Sequence, residues 1–96
     1  GSSPAFIYLF AKGFVDYAKS VEISEDTAKK LFAKTLIGSA KMIMDSGSSI
    51  DELIKMVSSP GGTTLKGLDE LYTGDLVGVV KKACESCTNR AYELSK

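Results

Sequence analysis

The stretch Ser24–Gly47, SEDTAKKLFAKTLIGSAKMIMDSG, decides the fold class of this 96-residue chain. Ser24 suits the N-cap of a helix, acidic residues follow it where the helix dipole favours them, and Gly47 closes the pattern. Apolar and small side chains recur at helical spacing. Five charged side chains share one narrow stripe, and they are Asp26, Lys30, Lys34, Lys41 and Asp45. A helix of about 22 residues spans ~33 Å. Because a compact domain of this size has a radius of gyration of only ~12–13 Å, we expect this helix to cross an interface with a second chain.

A second helix-forming stretch, Pro4–Lys19, lies before the first. Ser3 suits its N-cap, and Pro4 suits its first helical position. Only Lys12 and Asp16 interrupt side chains that are apolar on every side. A helix that is apolar all round must be surrounded, yet a chain this short buries only roughly 60–65% of its unfolded surface. The pattern of this helix therefore also predicts a second chain that covers it.

Three further helices are predicted, and no segment alternates apolar and polar residues as a half-buried strand would. Ser49–Glu52 is a capping-box pattern at the start of one helix, and Asp75 is a good N-cap for another. The predicted bounds are about Ile50–Met56, Thr63–Gly74, and Asp75 almost to the chain's last residue. We therefore predict an all-α fold of five helices in one domain, residues 1–96.

Composition excludes several classes of function. The chain has no histidine, which removes a histidine-based triad and a histidine-bearing zinc site. Lysine and arginine together number 12, as do aspartate and glutamate, so net charge attracts neither nucleic acid nor membrane. The longest apolar run, Pro4–Ala11, has about eight residues against the ~20 that cross a bilayer, and it lacks a signal peptide's basic leader. We expect a cytoplasmic protein with no nucleic-acid partner and no membrane span.

Cys84 and Cys87 form a C-x-x-C pair. This spacing occurs in redox sites and in half of a zinc site. Here the pair lies in a helical pattern, and neither a second pair nor a histidine is present to complete a tetrahedral zinc site. We expect two small half-buried thiols of a reduced cytosolic protein, and no bound metal.

The segment Val57–Thr64, VSSPGGTT, carries the chemistry of the chain. Pro60 stiffens the segment, and the two glycines after it allow a positive φ and a close approach of the backbone. The next helix starts at once, with unpaired amide N–H groups at the positive end of its dipole. Four hydroxyls surround these amides, those of Ser58, Ser59, Thr63 and Thr64. A carboxylate or a phosphate can bind at such a helix N-terminus.

The same residues allow a second interpretation, an ordinary helix–helix turn with a threonine N-cap. Glycine, proline, serine and threonine are common turn residues in any protein. A nucleoside triphosphate is disfavoured as the anion, because the segment lacks the lysine of a Walker A loop. The residues of the segment alone leave the turn and the anion site as alternatives.

Four stretches together resemble the C-terminal domain of pyrroline-5-carboxylate reductases. Glu52–Leu68, ELIKMVSSPGGTTLKGL, looks like the signature of that family. Gly1–Ala5, GSSPA, resembles the G-S-G-P-A with which the family's C-terminal domain opens. Thr35–Met42, TLIGSAKM, is similar to the family's long-helix pattern, and the tail, with Gly74 and then Val80–Leu94, also fits. The resemblance covers essentially the whole chain in order, without large gaps.

The resemblance implies a fold and a reaction. The family's C-terminal part is a helical domain of the 6-phosphogluconate-dehydrogenase C-terminal-like type, interlocked with its twin as a dimer that often assembles into decamers. A Rossmann domain before it binds NADPH or NADH, and the enzyme reduces 1-pyrroline-5-carboxylate to L-proline in proline biosynthesis. Because this chain has no strand pattern and no G-x-G-x-x-G turn, the resemblance implies the dimerisation and substrate-binding part alone, without activity by itself.

The family's substrate contacts carry over to the residues that match. The resemblance implies that Ser59 donates its hydroxyl to the substrate carboxylate and that the backbone N–H groups of Thr63 and Thr64 hold the same group. Gly62 completes the implied substrate-binding set. Thr64 is the implied catalytic residue, with its side chain meeting the ring nitrogen as a hydrogen-bond donor or relay.

Two departures from the family pattern concern helix ends. Ser3 stands where the family has glycine, and the loop Lys19–Ser24 lacks the glycine often found there.

Two other functions stay open beside the reductase. A paralogue acting on another cyclic imine carboxylate would share the Val57–Thr64 segment, since that segment contacts the carboxylate and not the ring. A non-catalytic helical module for self-association would share the two long helices.

Overall fold

A computed structural model describes all residues, 1–96, and consists of five helices without any strand. The helices are α1 (Ser3–Ser20), α2 (Glu25–Asp45), α3 (Ile50–Met56), α4 (Thr63–Thr73) and α5 (Leu76–Leu94). The predicted all-α fold of five helices is confirmed. The chain divides into two compact units, Gly1–Leu53 and Ile54–Lys96, so the boundary falls inside α3.

In the first unit, α1 packs against α2 through an aromatic cluster. The rings of Phe10 and Phe14 lie 6.3 and 5.1 Å from the ring of Phe32 and 5.3 Å from each other. Contacts of this kind add ~0.5–1.5 kcal/mol each beyond the apolar area they bury. Val15 on α1 and Ala28 on α2 are the buried residues of the chain. The core between the two helices is therefore thin.

Much of the apolar surface of α1 is uncovered in the single chain. Tyr8, Leu9 and Tyr17 are 70%, 71% and 69% exposed. Fully burying a side chain of this class stabilises a protein by roughly 1.5–3 kcal/mol. The sequence predicted a helix that must be surrounded, and this chain alone does not surround it.

The end of α1 is a left-handed turn at Glu22, whose φ is 66°. The amide of Ile23 donates to the carbonyl of Ala18 at 2.9 Å, and the amide of Glu22 donates to the carbonyl of Lys19 at 3.2 Å. These two bonds form a Schellman motif, in which glycine usually occupies the left-handed position. The departure from the family pattern in this loop is thus a glutamate in a conformation that favours glycine.

The predicted caps of α2 and α5 are confirmed. The side chain of Ser24 accepts from the amide of Thr27 at 3.2 Å, and that of Asp75 accepts from the amide of Gly78, also at 3.2 Å. Gly47 follows α2 with a φ of 75°, as expected of a glycine that closes a helix.

The predicted start of α1 is wrong by one residue. Ser3 lies inside the helix, and Ser2 occupies the N-cap position without a capping bond from its side chain. The amide of Ala5 donates to the carbonyl of Ser2 at 3.0 Å and closes the first turn. Pro4 therefore falls one position further into the helix, where a missing N–H is equally harmless because the first amides have no intrahelical partner.

In the second unit, α4 packs against α5. Its half-buried side chains include Leu65 and Leu68 on α4 and Leu76 on α5, and none is fully buried. Cys84 and Cys87 are both free thiols, but only Cys87 is half-buried. The expectation of two half-buried thiols was wrong for Cys84, because residues three apart point ~60° apart around a helix and Cys84 lies off the half-buried side.

Candidate functional site

The Val57–Thr64 segment joins α3 to α4 within the second unit. Its second residue, Ser58, bonds the last carbonyls of α3. The amide of Ser58 donates to the carbonyl of Lys55 at 3.1 Å, and its hydroxyl donates to the carbonyl of Ile54 at 2.5 Å. The amide of Val57 also reaches the Ile54 carbonyl, at 3.3 Å. The last carbonyls of a helix lack an intrahelical donor, so these bonds satisfy them.

Ser59–Gly62 form a β-turn with the features of type II. The amide of Gly62 donates to the carbonyl of Ser59 at 3.0 Å, Pro60 takes the first central position, and Gly61 takes the second with a φ of 74°. A Cβ added to Gly62 would lie 3.1 Å from the Ser59 carbonyl oxygen, closer than ordinary contact. The turn therefore needs one glycine for its backbone conformation and the other for its close approach.

Helix α4 begins directly after this turn, with Gly62 as its N-cap. Glycine has no side chain that can accept from the first amides, and no other side chain caps them. The amide N–H groups of Thr63 and Thr64 are therefore unpaired at the positive end of the α4 dipole. The predicted threonine N-cap is wrong, since Gly62 is the N-cap and both threonines lie inside the helix, whereas the predicted turn is present at Ser59–Gly62.

The hydroxyls around the segment differ in their availability. Ser59, Thr63 and Thr64 are exposed, and their hydroxyls donate to no atom of the chain. Ser58 is half-buried, and its hydroxyl donates to the Ile54 carbonyl. The sequence alone does not distinguish these four hydroxyls. The missed signal was the spacing of four between Ile54 and Ser58, because a serine hydroxyl near a helix often bonds the carbonyl four residues back.

The Val57–Thr64 segment contains no ionisable side chain. Its free groups are amide N–H groups and hydroxyls, which bind a carboxylate or phosphate through charge-assisted hydrogen bonds. These groups provide no general acid or base stronger than a hydroxyl. Elsewhere in the chain, no group of three or more histidine, cysteine or acidic residues is placed to hold a metal ion. The arrangement thus suits binding and orienting an anion.

Groups with altered pKa lie outside this segment. A hydrogen bond of 2.6 Å from Lys12 lowers the pKa of Asp16, and the same bond raises the pKa of Lys12. The amide of Ser49 donates to the Glu52 carboxylate at 2.8 Å and lowers the pKa of Glu52. The amide of Glu52 donates to the Ser49 hydroxyl at 3.1 Å, which completes the predicted capping box. These are exposed contacts within or next to helices and mark no catalytic group.

Residues 1–94 match the family model described as pyrroline-5-carboxylate reductase dimerisation. The chain belongs to this family. Pyrroline-5-carboxylate reductase 3 of Xenopus laevis is 36% identical over 96 residues, which are 100% of this chain and 35% of that protein. Pyrroline-5-carboxylate reductase of Pisum sativum is 37% identical over 95 residues, 99% of this chain and 35% of that protein.

A solved structure gives the same family by its fold. The crystal structure of Plasmodium falciparum pyrroline carboxylate reductase with NADP bound has a TM-score of 0.86 and 31% identity, and the match covers 90% of this chain and 33% of that chain. This member of the dimerisation family thus spans about a third of the length of the reductases it matches. None of its five helices combines the length and hydrophobicity that a membrane-spanning segment requires.

Proposed function

We propose that this chain is the dimerisation and substrate-binding part of an NAD(P)H-dependent reductase that converts 1-pyrroline-5-carboxylate to L-proline. The observation that carries the proposal is the N-terminus of α4, where the unpaired amides of Thr63 and Thr64 and the free hydroxyl of Ser59 offer a binding site for a carboxylate. Substrate and product both carry a carboxylate on a five-membered ring. One carboxylate-binding site in a chain of this family can therefore bind both the substrate and the product.

In the proposed complex the carboxylate binds on the first turn of α4. Ser59 donates its hydroxyl to the carboxylate, the amides of Thr63 and Thr64 donate to the same group, and Gly62 permits the close approach of the backbone. Thr64 then donates its side-chain hydroxyl to the ring nitrogen. Several fixed bonds to one small ligand orient its ring, and orientation of the reacting carbon contributes much of the rate in such reactions.

The proposed reaction adds a hydride to the imine carbon and a proton to the imine nitrogen, so that C=N becomes a C–N single bond. Protonation of the nitrogen makes the carbon electrophilic. A threonine hydroxyl is a weak acid, so we assign Thr64 the role of a hydrogen-bond donor or proton relay to that nitrogen. The proton comes from solvent or from a group outside the Val57–Thr64 segment, which has no ionisable side chain.

The nicotinamide cofactor supplies the hydride in this reaction. A Rossmann site for a dinucleotide needs parallel strands and a glycine-rich turn between a strand and a helix. This chain has no strand, so its residues do not fit the cofactor. We expect residues of a longer protein to bind it, as NADPH or NADH, and this chain to be inactive alone. The NADP-bound Plasmodium falciparum relative supports the choice of cofactor class.

We infer that a second copy of the chain covers the exposed apolar side chains of α1 and α2. Tyr8 and Leu9 are 70% and 71% exposed, at least as much as the side chains of Lys12 and Asp16, the only two charged residues of α1 before its last turn. The description of the matching family as a dimerisation domain supports a homodimer, which we expect can build a decamer.

The free thiols of Cys84 and Cys87 fit a reducing compartment, and we propose that the protein is cytoplasmic.

The activity is tested with the full-length protein that contains this chain. We expect it to oxidise NADPH or NADH when 1-pyrroline-5-carboxylate is added, and to release L-proline. No turnover with either cofactor would reject the proposal. Turnover only with another cyclic imine carboxylate would identify a paralogue with a different ring specificity.

The carboxylate site is tested separately, on this chain, by following its backbone amides in a titration with L-proline. The amide resonances of Thr63 and Thr64 should shift to saturation, whereas pyrrolidine, which has the same ring without a carboxylate, should leave them in place. Equal shifts of these amide resonances with the two ligands would show that the start of α4 does not bind the carboxylate. That result would favour a self-association module.

A further inference from the structure

The two adjacent serines of the Val57–Thr64 segment have opposite environments. Ser58 is half-buried, and its hydroxyl donates to the carbonyl of Ile54 at 2.5 Å. Ser59 is exposed, and its hydroxyl has no acceptor in the chain. Only Ser59 is therefore free to donate to a ligand, and the hydroxyl of Ser58 serves the chain itself.

The bonds of Ser58 hold the point at which the chain leaves α3. Its amide bonds the Lys55 carbonyl at 3.1 Å, and its hydroxyl gives the Ile54 carbonyl a closer donor than the Val57 amide does at 3.3 Å. Without that hydroxyl, the longer bond from Val57 alone would satisfy the Ile54 carbonyl. The residue immediately after this anchor is Ser59.

The other side of Ser59 is held by the β-turn. Its carbonyl accepts from the amide of Gly62 at 3.0 Å, and Pro60 and Gly61 have the backbone angles that the turn requires. Ser59 therefore lies between two fixed points, the anchored end of α3 and the first residue before α4. Loosening either point changes where its hydroxyl lies relative to the Thr63 and Thr64 amides.

We propose that Ser58 is a positioning residue for carboxylate recognition: its bond to the Ile54 carbonyl sets the place of the Ser59 hydroxyl without touching the ligand. This inference rests on the proposed function, since it concerns the same carboxylate site. It assigns the two serines separate roles, Ser59 as the donor to the ligand and Ser58 as the group that holds the donor in place.

The test compares Ser58→Thr with Ser58→Val in the full-length enzyme. The two replacements have nearly the same shape, but only threonine keeps a hydroxyl that can bond the carbonyl four residues back. We expect Ser58→Val to raise KM for the imine carboxylate roughly threefold to tenfold, the scale of one lost hydrogen bond. KM for the nicotinamide cofactor should not change. Ser58→Thr should keep both KM values within about twofold of the original enzyme, because it retains this hydrogen bond.

The pattern of constants separates positioning from folding. A purely structural role would reduce the amount of folded enzyme, which lowers the apparent kcat and leaves both KM values unchanged. That outcome overturns the inference, as does an equal rise in KM for Ser58→Thr and Ser58→Val. If Ser58→Val does not fold, Ser58→Ala takes its place with the same expectation, and the inhibition constant of L-proline gives a second readout of carboxylate affinity.

Ser59→Ala, measured in parallel, distinguishes failure of the inference from failure of the proposed function. If Ser59→Ala raises KM for the imine carboxylate while Ser58→Val does not, the carboxylate site stands and the positioning role is rejected. If neither change affects this KM, the carboxylate does not bind beside Ser59, and the proposed site itself is rejected.

Discussion

At the scale of single residues, Thr63 and Thr64 make different contributions to the proposed site although they are neighbours of the same type. Both have unpaired amides at the start of α4 and exposed side chains. The proposed role of Thr63 uses its backbone alone, whereas that of Thr64 uses the backbone and the hydroxyl. Substitution by alanine removes a hydroxyl and keeps the amide, so it separates the two contributions.

Thr64→Ala in the full-length enzyme should lower kcat for the imine carboxylate by roughly 10- to 1,000-fold, because the lost hydrogen bond to the ring nitrogen strengthens as hydride addition to the imine carbon makes that nitrogen more basic. Thr63→Ala keeps the amide that binds the carboxylate, so it should lower the rate far less. Steady-state kinetics at saturating cofactor give both values. Equal effects of the two changes would remove Thr64 from its catalytic role.

The roles of single residues were only partly predictable from the sequence. The unpaired amides at the start of α4 were predictable, because the first amides of any helix have no intrahelical partner. The division between Ser58 and Ser59 was not, because it depends on the residue at which α3 ends. Moving the end of α3 by one residue would exchange the hydroxyl that bonds a carbonyl and the hydroxyl that stays free.

At the scale of helices, the capping box of α3 makes the start of that helix sensitive to acid. The Glu52 carboxylate accepts from the Ser49 amide at 2.8 Å, and this bond lowers the pKa of Glu52 below its ordinary value of 4.5. A carboxyl with a lower pKa in the folded chain stabilises the fold fully above its unfolded pKa. That contribution is lost as pH falls through the folded value.

We therefore expect the start of α3 to be stable at neutral pH and to fray as pH falls below about 4.5, the ordinary value for the Glu52 carboxyl. The amide resonance of Ser49 should lose its hydrogen-bonded shift over this range. Glu52→Gln keeps an oxygen that accepts the bond but does not titrate, so the resonance should stay constant in acid. A Ser49 shift that follows pH equally in both proteins would contradict this account.

The turn after α1 stores strain that the sequence alone did not locate. A glycine in a loop predicts a residue in the left-handed conformation, but Lys19–Ser24 contains no glycine. Glu22 takes the left-handed position instead, with a φ of 66°. The two bonds of the Schellman motif, from Ile23 to Ala18 and from Glu22 to Lys19, hold it there. Caps such as Ser24 were predictable, because a cap depends on residues three positions apart. The position of a strained residue depends on the geometry of the two helices that the loop joins.

Glu22→Gly should raise the free energy of unfolding by about 0.5–1 kcal/mol, because glycine adopts the left-handed conformation without steric cost, offset in part by its greater freedom when unfolded. Lys19→Gly, in the last turn of α1, should have the opposite sign and cost about 0.5–1 kcal/mol. Urea denaturation followed by circular dichroism measures both. Destabilisation by Glu22→Gly would show that the glutamate side chain contributes more there than its backbone strain costs.

At the scale of the whole molecule, the sequence predicted five helices of the correct type because their caps and apolar spacing are local properties. It also predicted that α1 needs a covering surface, since Lys12 and Asp16 are the only charges before its last turn. The chain alone supplies little of that cover, with Val15 and Ala28 as its buried residues. What covers the rest cannot follow from local spacing, since it depends on the second chain that we propose.

Leu9→Ala tests that second chain. Leu9 is 71% exposed in the single chain, and burying it against a partner should contribute about 2 kcal/mol relative to alanine. A twofold-symmetric dimer contains the substitution twice, so its dissociation constant should rise by roughly 100- to 1,000-fold. Sedimentation velocity over a range of concentrations measures this, with Lys34→Ala on the charged stripe of α2 as the control that leaves dimerisation nearly unchanged. A compact monomer before any substitution would refute the dimer, and an unaltered dissociation constant would show that the partner covers another side of α1.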